Sequence, residues 1–224
     1  MYSIHIIRGR INELNGEMVL KGISLPALKA ITKILVLDDD GFVFMEPLRK
    51  SEFSIEHRQD IQALGDVAEY DIILCDIRGV GAFLDSQFEG AYLVKKIKEK
   101  YPNKIVVSYT ANDYSPSYQE YLKYADAIIP KGTSLEDWDS LLTEKIRELA
   151  DPVKMWEKTR EALLNANVQT ITVAEYESRY VKAIENNSFE SIKKLFEKKK
   201  KPGAEIMLSL LTSVIAKVIE KAVL

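Results

Sequence analysis

Four short apolar runs, each with a polar or charged residue at or beside its end, constrain the fold of this chain more than any other feature. They span 33–40 (KILVLDDD), 71–76 (DIILCD), 104–111 (KIVVSYTA) and 125–131 (ADAIIPK). Each is too short and too β-branched for a helix, so each reads as a strand buried on both faces. Between the second and third runs, residues 88–101 place Ala91, Leu93, Val94 and Ile97 at helical spacing. Strands alternating with helices imply right-handed βα units around a parallel sheet. The expected architecture is α/β, a doubly wound parallel sheet. The carboxyl ends of such strands open on one edge, where ligands bind. Asp38, Asp39, Asp76, Thr110 and Lys131 converge there.

The 224 residues suffice for one domain and roughly half another, at about 150 residues each. Residues 151–224 carry 13 Lys/Arg against 10 Asp/Glu, which leaves 18 against 24 before them. The acidic excess therefore falls on the part that holds the strand runs, where it suits a cation. A net charge of −3 gives no general affinity for nucleic acid. Cys75 is the one cysteine; it precludes an internal disulfide, fits a reducing compartment, and reads as a small buried hydrophobe. The opening MYSIHIIRGR lacks the apolar core of a signal peptide. The apolar stretch 204–216 is shorter than the ~20 residues that span a membrane. The expectation is a cytoplasmic protein with no membrane span.

Three regions follow from the pattern. Residues 1–31 read as an extension, with a β-hairpin turning at Asn15-Gly16 and a short helix over 26–31; residues 32–150 hold the α/β unit; residues 151–224 are helical. The last helix of the α/β unit starts at Ser134 with a capping pattern. Asp151-Pro152 opens the next helix as N-cap and first position. Thr172-Val-Ala-Glu175 has the form of a capping box, Ser188 caps a third helix ending in the lysine run 198–201, and Pro202-Gly203 precedes a single amphipathic helix to Leu224. The Tyr-rich segment 114–124 reads as an amphipathic helix, and His5 and His57 as residues without ligand-spaced companions.

The chemistry at the strand ends is specific. A carboxylate can act as nucleophile toward phosphorus, giving an acyl phosphate. It then needs a hard cation between the negative groups, and Mg²⁺ takes one or two carboxylates plus water. A lysine and a hydroxyl complete the set by stabilising the equatorial oxygens. The four runs offer all of these residue types.

Over residues of about 33–149 the chain resembles the receiver (CheY-like) domain of two-component response regulators, with the motifs in family order, and the resemblance implies a flavodoxin-like fold with a five-stranded parallel sheet. KILVLDDD is similar to the acidic pair closing the first strand, DIILCD to the phospho-acceptor run, VVSYTA to the run with the switch Thr and small neighbour, and ADAIIPK to the run with the lysine. The resemblance implies that Asp76 accepts a phosphoryl group from a histidine kinase or phosphotransfer protein. It implies Mg²⁺ held by Asp39, Asp76 and the Arg78 backbone carbonyl, with Asp38 acting through water. Thr110 and Lys131 would grip the phosphoryl group and Ala111 would leave room for it. The helical region would then be the output, meeting a protein partner or a second copy, with no nucleic acid involved.

The chain also departs from the family. Gly132 stands where a Pro commonly follows the lysine, Ile128 replaces the aromatic switch residue, and the stretch 77–90 after the acceptor is long and lacks the usual Pro. These departures motivate an alternative, an unphosphorylated pseudo-receiver acting as a scaffold. A further alternative rests on Asp38-Asp39-Asp40-Gly41, which resembles the nucleophile motif of haloacid-dehalogenase-type phosphatases, with Asp38 as nucleophile, Asp40 as acid, and Thr110 and Lys131 as later motifs. That family expects an acidic pair on another strand after the lysine. Glu136-Asp137-Trp138-Asp139 falls in a helical pattern instead, and Asp76 is left without a role.

Overall fold

A computed structural model describes residues 11, 14, 23–85, 87–111, 116–197 and 201–221. The expected hairpin over residues 1–20 and the lysines 198–200 lie outside these. The chain falls into two compact units, Ser24–Arg147 and Glu148–Leu224 with Met1–Ile23.

In the first unit, helix α1 (Leu25–Ile31) is capped by the Ser24 hydroxyl, which accepts the Ala27 N–H at 3.3 Å. The strands are β1 (Lys33–Leu37), β2 (Ser54–Arg58), β3 (Ile72–Asp76), β4 (Ile105–Thr110) and β5 (Ala127–Pro130). They form one sheet in the order β2-β1-β3-β4-β5, every pairing parallel. β3 and β4 are buried at every position, and β1 everywhere except Lys33. Such unbroken apolar runs belong to strands covered by helices on both faces. The strand outside the four runs, β2, has no apolar run to announce it. β2 is an edge strand in which only Ile55 is buried.

Helix α2 (Met45–Lys50) follows β1, and α3 (Glu89–Lys100) buries Ala91, Leu93, Val94 and Ile97 as expected. The Tyr-rich segment gives a 3₁₀ turn (Pro116–Tyr118) and a four-residue helix α4 (Gln119–Leu122), shorter than its pattern suggests. Helix α5 (Leu135–Ala150) opens on a reciprocal cap. The Ser134 hydroxyl accepts the Asp137 N–H at 3.2 Å and donates to its carboxylate at 2.8 Å.

A charge network lies on the β2 edge. The Tyr70 hydroxyl donates to one Glu56 oxygen at 2.7 Å, and Arg58 Nε donates to the other at 2.9 Å. The hydrogen bond from Tyr70, then that from Arg58, hold the Glu56 carboxyl below its ordinary 4.5. An acid held low when folded contributes stability above its unfolded pKa and loses it as pH falls through the folded one. Urea midpoints of wild type and Glu56→Gln should therefore coincide near pH 3. They should separate above about pH 5, with wild type ahead by less than ~1 kcal/mol because the pair is half exposed. Equal midpoints at both pH values would remove the network from the account of stability.

The second unit contains α6 (Pro152–Asn165), α7 (Thr170–Glu185), α8 (Glu190–Phe196), α9 (Ala204–Leu211) and α10 (Val214–Lys221). The Asp151 carboxylate accepts the N–H groups of Val153 and Lys154 at 2.8 and 3.2 Å, the expected cap with Pro152 first in the helix. Two expectations fail. α7 starts at Thr170 behind Gln169, two residues before the capping-box pattern at Thr172. The final helix is two helices, because the Thr212 and Ser213 hydroxyls take the Ser209 and Leu210 carbonyls at 3.0 and 2.6 Å and the helix breaks there. Trp156 anchors the core. It stacks on Tyr180 with centroids 5.3 Å apart, and its indole N–H donates to Glu177 at 2.8 Å. Gly203 has φ +69, and a Cβ there would sit 2.3 Å from Leu163 Cδ2, so only glycine opens α9 this close to α6.

Candidate functional site

Parallel pairing brings the strand ends together. Leu37 is level with Cys75, Asp76 with Tyr109, and Thr110 with Pro130. Asp38, Asp76, Thr110 and Lys131 therefore share the carboxyl edge.

Asp38 is fixed by its own turn. One carboxylate oxygen, Oδ1, accepts the N–H groups of Asp40 and Gly41 at 2.9 and 3.1 Å, and Gly41 supplies the φ of +98 that the turn needs. The other, Oδ2, accepts the Tyr109 hydroxyl at 2.8 Å and lies 3.4 Å from Lys131 Nζ. From the edge strand, His57 Nε2 lies 2.7 Å from the Asp38 carbonyl oxygen. With 1% of its surface exposed, Asp38 is a buried, fully bonded carboxylate rather than a solvated turn.

Asp76 closes β3, also buried. Lys131 Nζ is 2.6 Å from its Oδ2, and the Arg78 N–H reaches Oδ1 at 3.4 Å. Burial raises the Asp76 carboxyl above its ordinary value, against the opposing pull of Lys131. For Lys131 burial acts downward, but the hydrogen bond and charge of Asp76, joined by Asp38, outweigh it and raise the ammonium. Lys131 is thus a charged lysine clamped between two acids. Its own N–H donates to the Thr110 carbonyl at 2.9 Å, which ties the strand end carrying the lysine to that of β4.

Asp39 is exposed and lies over Gly79, where a Cβ would stand 2.2 Å from the carboxyl carbon and φ is +73. The carboxylate could swing aside, so it is the positive φ that suits this position to glycine. One oxygen each of Asp38, Asp39 and Asp76 lies within 4.8 Å of the others. An all-oxygen set of three acids at this spacing fits a hard divalent cation.

Thr110 is buried at the end of β4, and its hydroxyl donates to the Ala111 carbonyl at 3.3 Å, while Ala111 itself is exposed at the mouth. Ser108 and Thr110, two residues apart, share one face of β4. Tyr109 points to the other face and is the side chain that reaches Asp38. Burial, then the hydrogen bond to Asp38, push its phenol far above the ordinary value, so it stays a donor. Tyr109 and His57 are site residues that the strand pattern does not reveal. The available signal was an aromatic ring directly before Thr110 in a strand of otherwise small or aliphatic residues.

The long stretch after Asp76 is pinned at several points. The Gly79 N–H donates to Glu89 at 3.1 Å, the Gly81 N–H to Asp60 at 2.8 Å, and Asp85 accepts the Phe88 N–H at 2.9 Å. Phe88 packs against Tyr121 with centroids 4.7 Å apart. Cys75 is fully buried, its Sγ 3.2 Å from the Asp76 carbonyl oxygen and 3.8 Å from that of Gly90. Burial raises its thiol well above the ordinary range.

The strand order 2-1-3-4-5 is the flavodoxin-like order that CheY-like receiver domains share, and this chain sets its acids and lysine at the carboxyl edge of that sheet. Solved structures are similar. A response regulator receiver domain protein (CheY-like) from Methanospirillum hungatei is 21% identical, over 53% of this chain and 95% of that one, with TM-score 0.42. The BeF3-activated N-terminal receiver domain of Klebsiella pneumoniae RstA is 21% identical, over 52% and 99%, at 0.41. A Burkholderia pseudomallei response regulator, solved with a phosphorylated aspartic acid and a calcium ion, is 16% identical, over 70% and 93%, at 0.39. No family model matches the chain, and no curated protein does.

Proposed function

We propose that the chain is a phosphorelay response regulator in which Asp76 accepts a phosphoryl group. One observation carries the reading: Lys131 spans Asp76 and Asp38, with Asp39 beside them, at the carboxyl edge of a parallel sheet. A carboxylate oxygen of Asp76 attacks phosphorus, an acyl phosphate bond forms, and the phosphorus–nitrogen bond to the donor's histidine breaks, the electron pair leaving with the imidazole. Asp39, Asp76 and the Arg78 carbonyl would hold Mg²⁺, with Asp38 behind them; the cation supplies screening of the negative charge that gathers there. Lys131 exchanges its bond to Asp76 for one to a phosphoryl oxygen. The Thr110 hydroxyl turns from the Ala111 carbonyl to another, and Ala111 leaves space for the group.

Asp38 serves this reading better than the phosphatase alternative, since a nucleophile held by two backbone N–H groups, a phenol and a lysine is a poor one. The donor would be a histidine kinase or phosphotransfer protein, and the helical unit would act on a protein partner or a second copy. No described helix is long and apolar enough to cross a membrane, and the setting proposed is the cytoplasm. Intact mass after incubation with Mg²⁺ and acetyl phosphate tests the reading. Wild type should gain one base-labile phosphoryl group, and Asp76→Asn should gain none. An adduct that persists in Asp76→Asn would overturn it. No adduct in wild type, with Mg²⁺ bound, would favour the scaffold reading.

A further inference from the structure

Tyr109 has two attachments that differ in kind. Its hydroxyl donates to Asp38 Oδ2 at 2.8 Å. Its ring meets Phe42 and, edge-on, Trp138 of α5, with centroids 5.7 and 5.8 Å away, and those two rings meet each other at 5.2 Å. One side chain therefore joins a buried carboxylate of the acidic cluster to a closed aromatic triad that reaches helix α5 through Trp138. Trp138 is itself fully buried, and its indole nitrogen has no hydrogen-bond partner among the described residues. Packing alone holds it.

A carboxylate offers about four acceptor positions. At Asp38, two go to backbone N–H groups, and the oxygen that faces the cluster is shared by Tyr109 and Lys131. A divalent cation drawing on that oxygen through a bound water would bring a second donor and positive charge beside the phenolic proton. Rotation of the hydroxyl, or displacement of the ring, would relieve the conflict. The ring is wedged against Phe42 and Trp138, so displacement is felt at the indole.

We infer that Tyr109 is a positioning residue that competes with the divalent cation for Asp38 and passes cation occupancy to Trp138 through the aromatic triad. The inference rests on the cation site proposed above and adds a coupling residue to it. It also places the link on β4 rather than at position 128, where Ile128 stands half exposed on β5.

Tyr109→Phe tests this, because it keeps the ring and removes only the hydroxyl. A Trp156→Phe parent leaves Trp138 as the emitting indole, and a Trp138→Phe chain with Trp156 retained serves as blank. Mg²⁺ is titrated into metal-free protein, with binding read by calorimetry and Trp138 by emission. In the parent, Mg²⁺ should change Trp138 emission. In the Tyr109→Phe chain, Mg²⁺ should bind about tenfold more tightly, since a charge-assisted hydrogen bond no longer competes, and the emission change should fall by at least half. If either quantity matches the parent, the inference is overturned and the cation site stands. If the parent binds no Mg²⁺ at all, both fall together.

Discussion

Gly90→Ala should lower the stability of the protein by about 3 kcal/mol and blunt phosphorylation of whatever remains folded. The cause is a single added carbon. A Cβ at Gly90 would stand 1.9 Å from the Asp76 carbonyl oxygen and 2.9 Å from Ile77 Cα. Both are backbone atoms, so no side chain can swing aside to make room. The first turn of α3 must lift away from the end of β3, and Asp76 moves with it. Gly65→Ala is the matched control, because nothing lies within 4 Å of its added Cβ. Urea denaturation of the two variants against wild type decides the matter. A Gly90→Ala midpoint equal to that of Gly65→Ala would mean the close approach is not needed for folding.

Trp156→Ala should cost about 3–5 kcal/mol, the range for truncating a fully buried indole. Trp156 is fully buried, and truncation removes both its stack on Tyr180 and the donor to Glu177. Glu177 keeps the Ile11 N–H at 3.2 Å as a partner, so its carboxylate is not left bare. The loss is mainly one of packed volume. Against a typical total of about 5–15 kcal/mol, it is large enough to populate unfolded chains near physiological temperature. Trp156→Phe retains most of the ring and should cost less than half as much. Thermal melts of the two variants check the order, and equal melting temperatures would refute it.

The sheet was legible because its inner strands are buried on both faces, which leaves unbroken apolar runs in β1, β3 and β4. β2 was not, because an edge strand needs only Ile55 inside and its remaining residues are polar. The acids and the lysine were legible for a topological reason: a parallel sheet gathers its strand ends, whatever the sequence distance between them. Tyr109 escaped notice because its role depends on Asp38, 71 positions away, and nothing local marks an aromatic strand residue as a donor. In the helical unit, periodicity located the helices but not the break between α9 and α10. An apolar stripe continues across that break, and only the Thr212 and Ser213 hydroxyl bonds reveal it.

The position of Cys75 has a practical consequence. The thiol lies in the seam where β3 meets the start of α3, one residue before Asp76, and is sealed from solvent. An aromatic disulfide reagent can reach it only while that seam is open, so its rate of labelling counts openings beside Asp76. As the chain's one cysteine, it needs no engineering to be a clock. Labelling slowed by a phosphodonor would report that phosphorylation at Asp76 holds that strand and helix together more tightly.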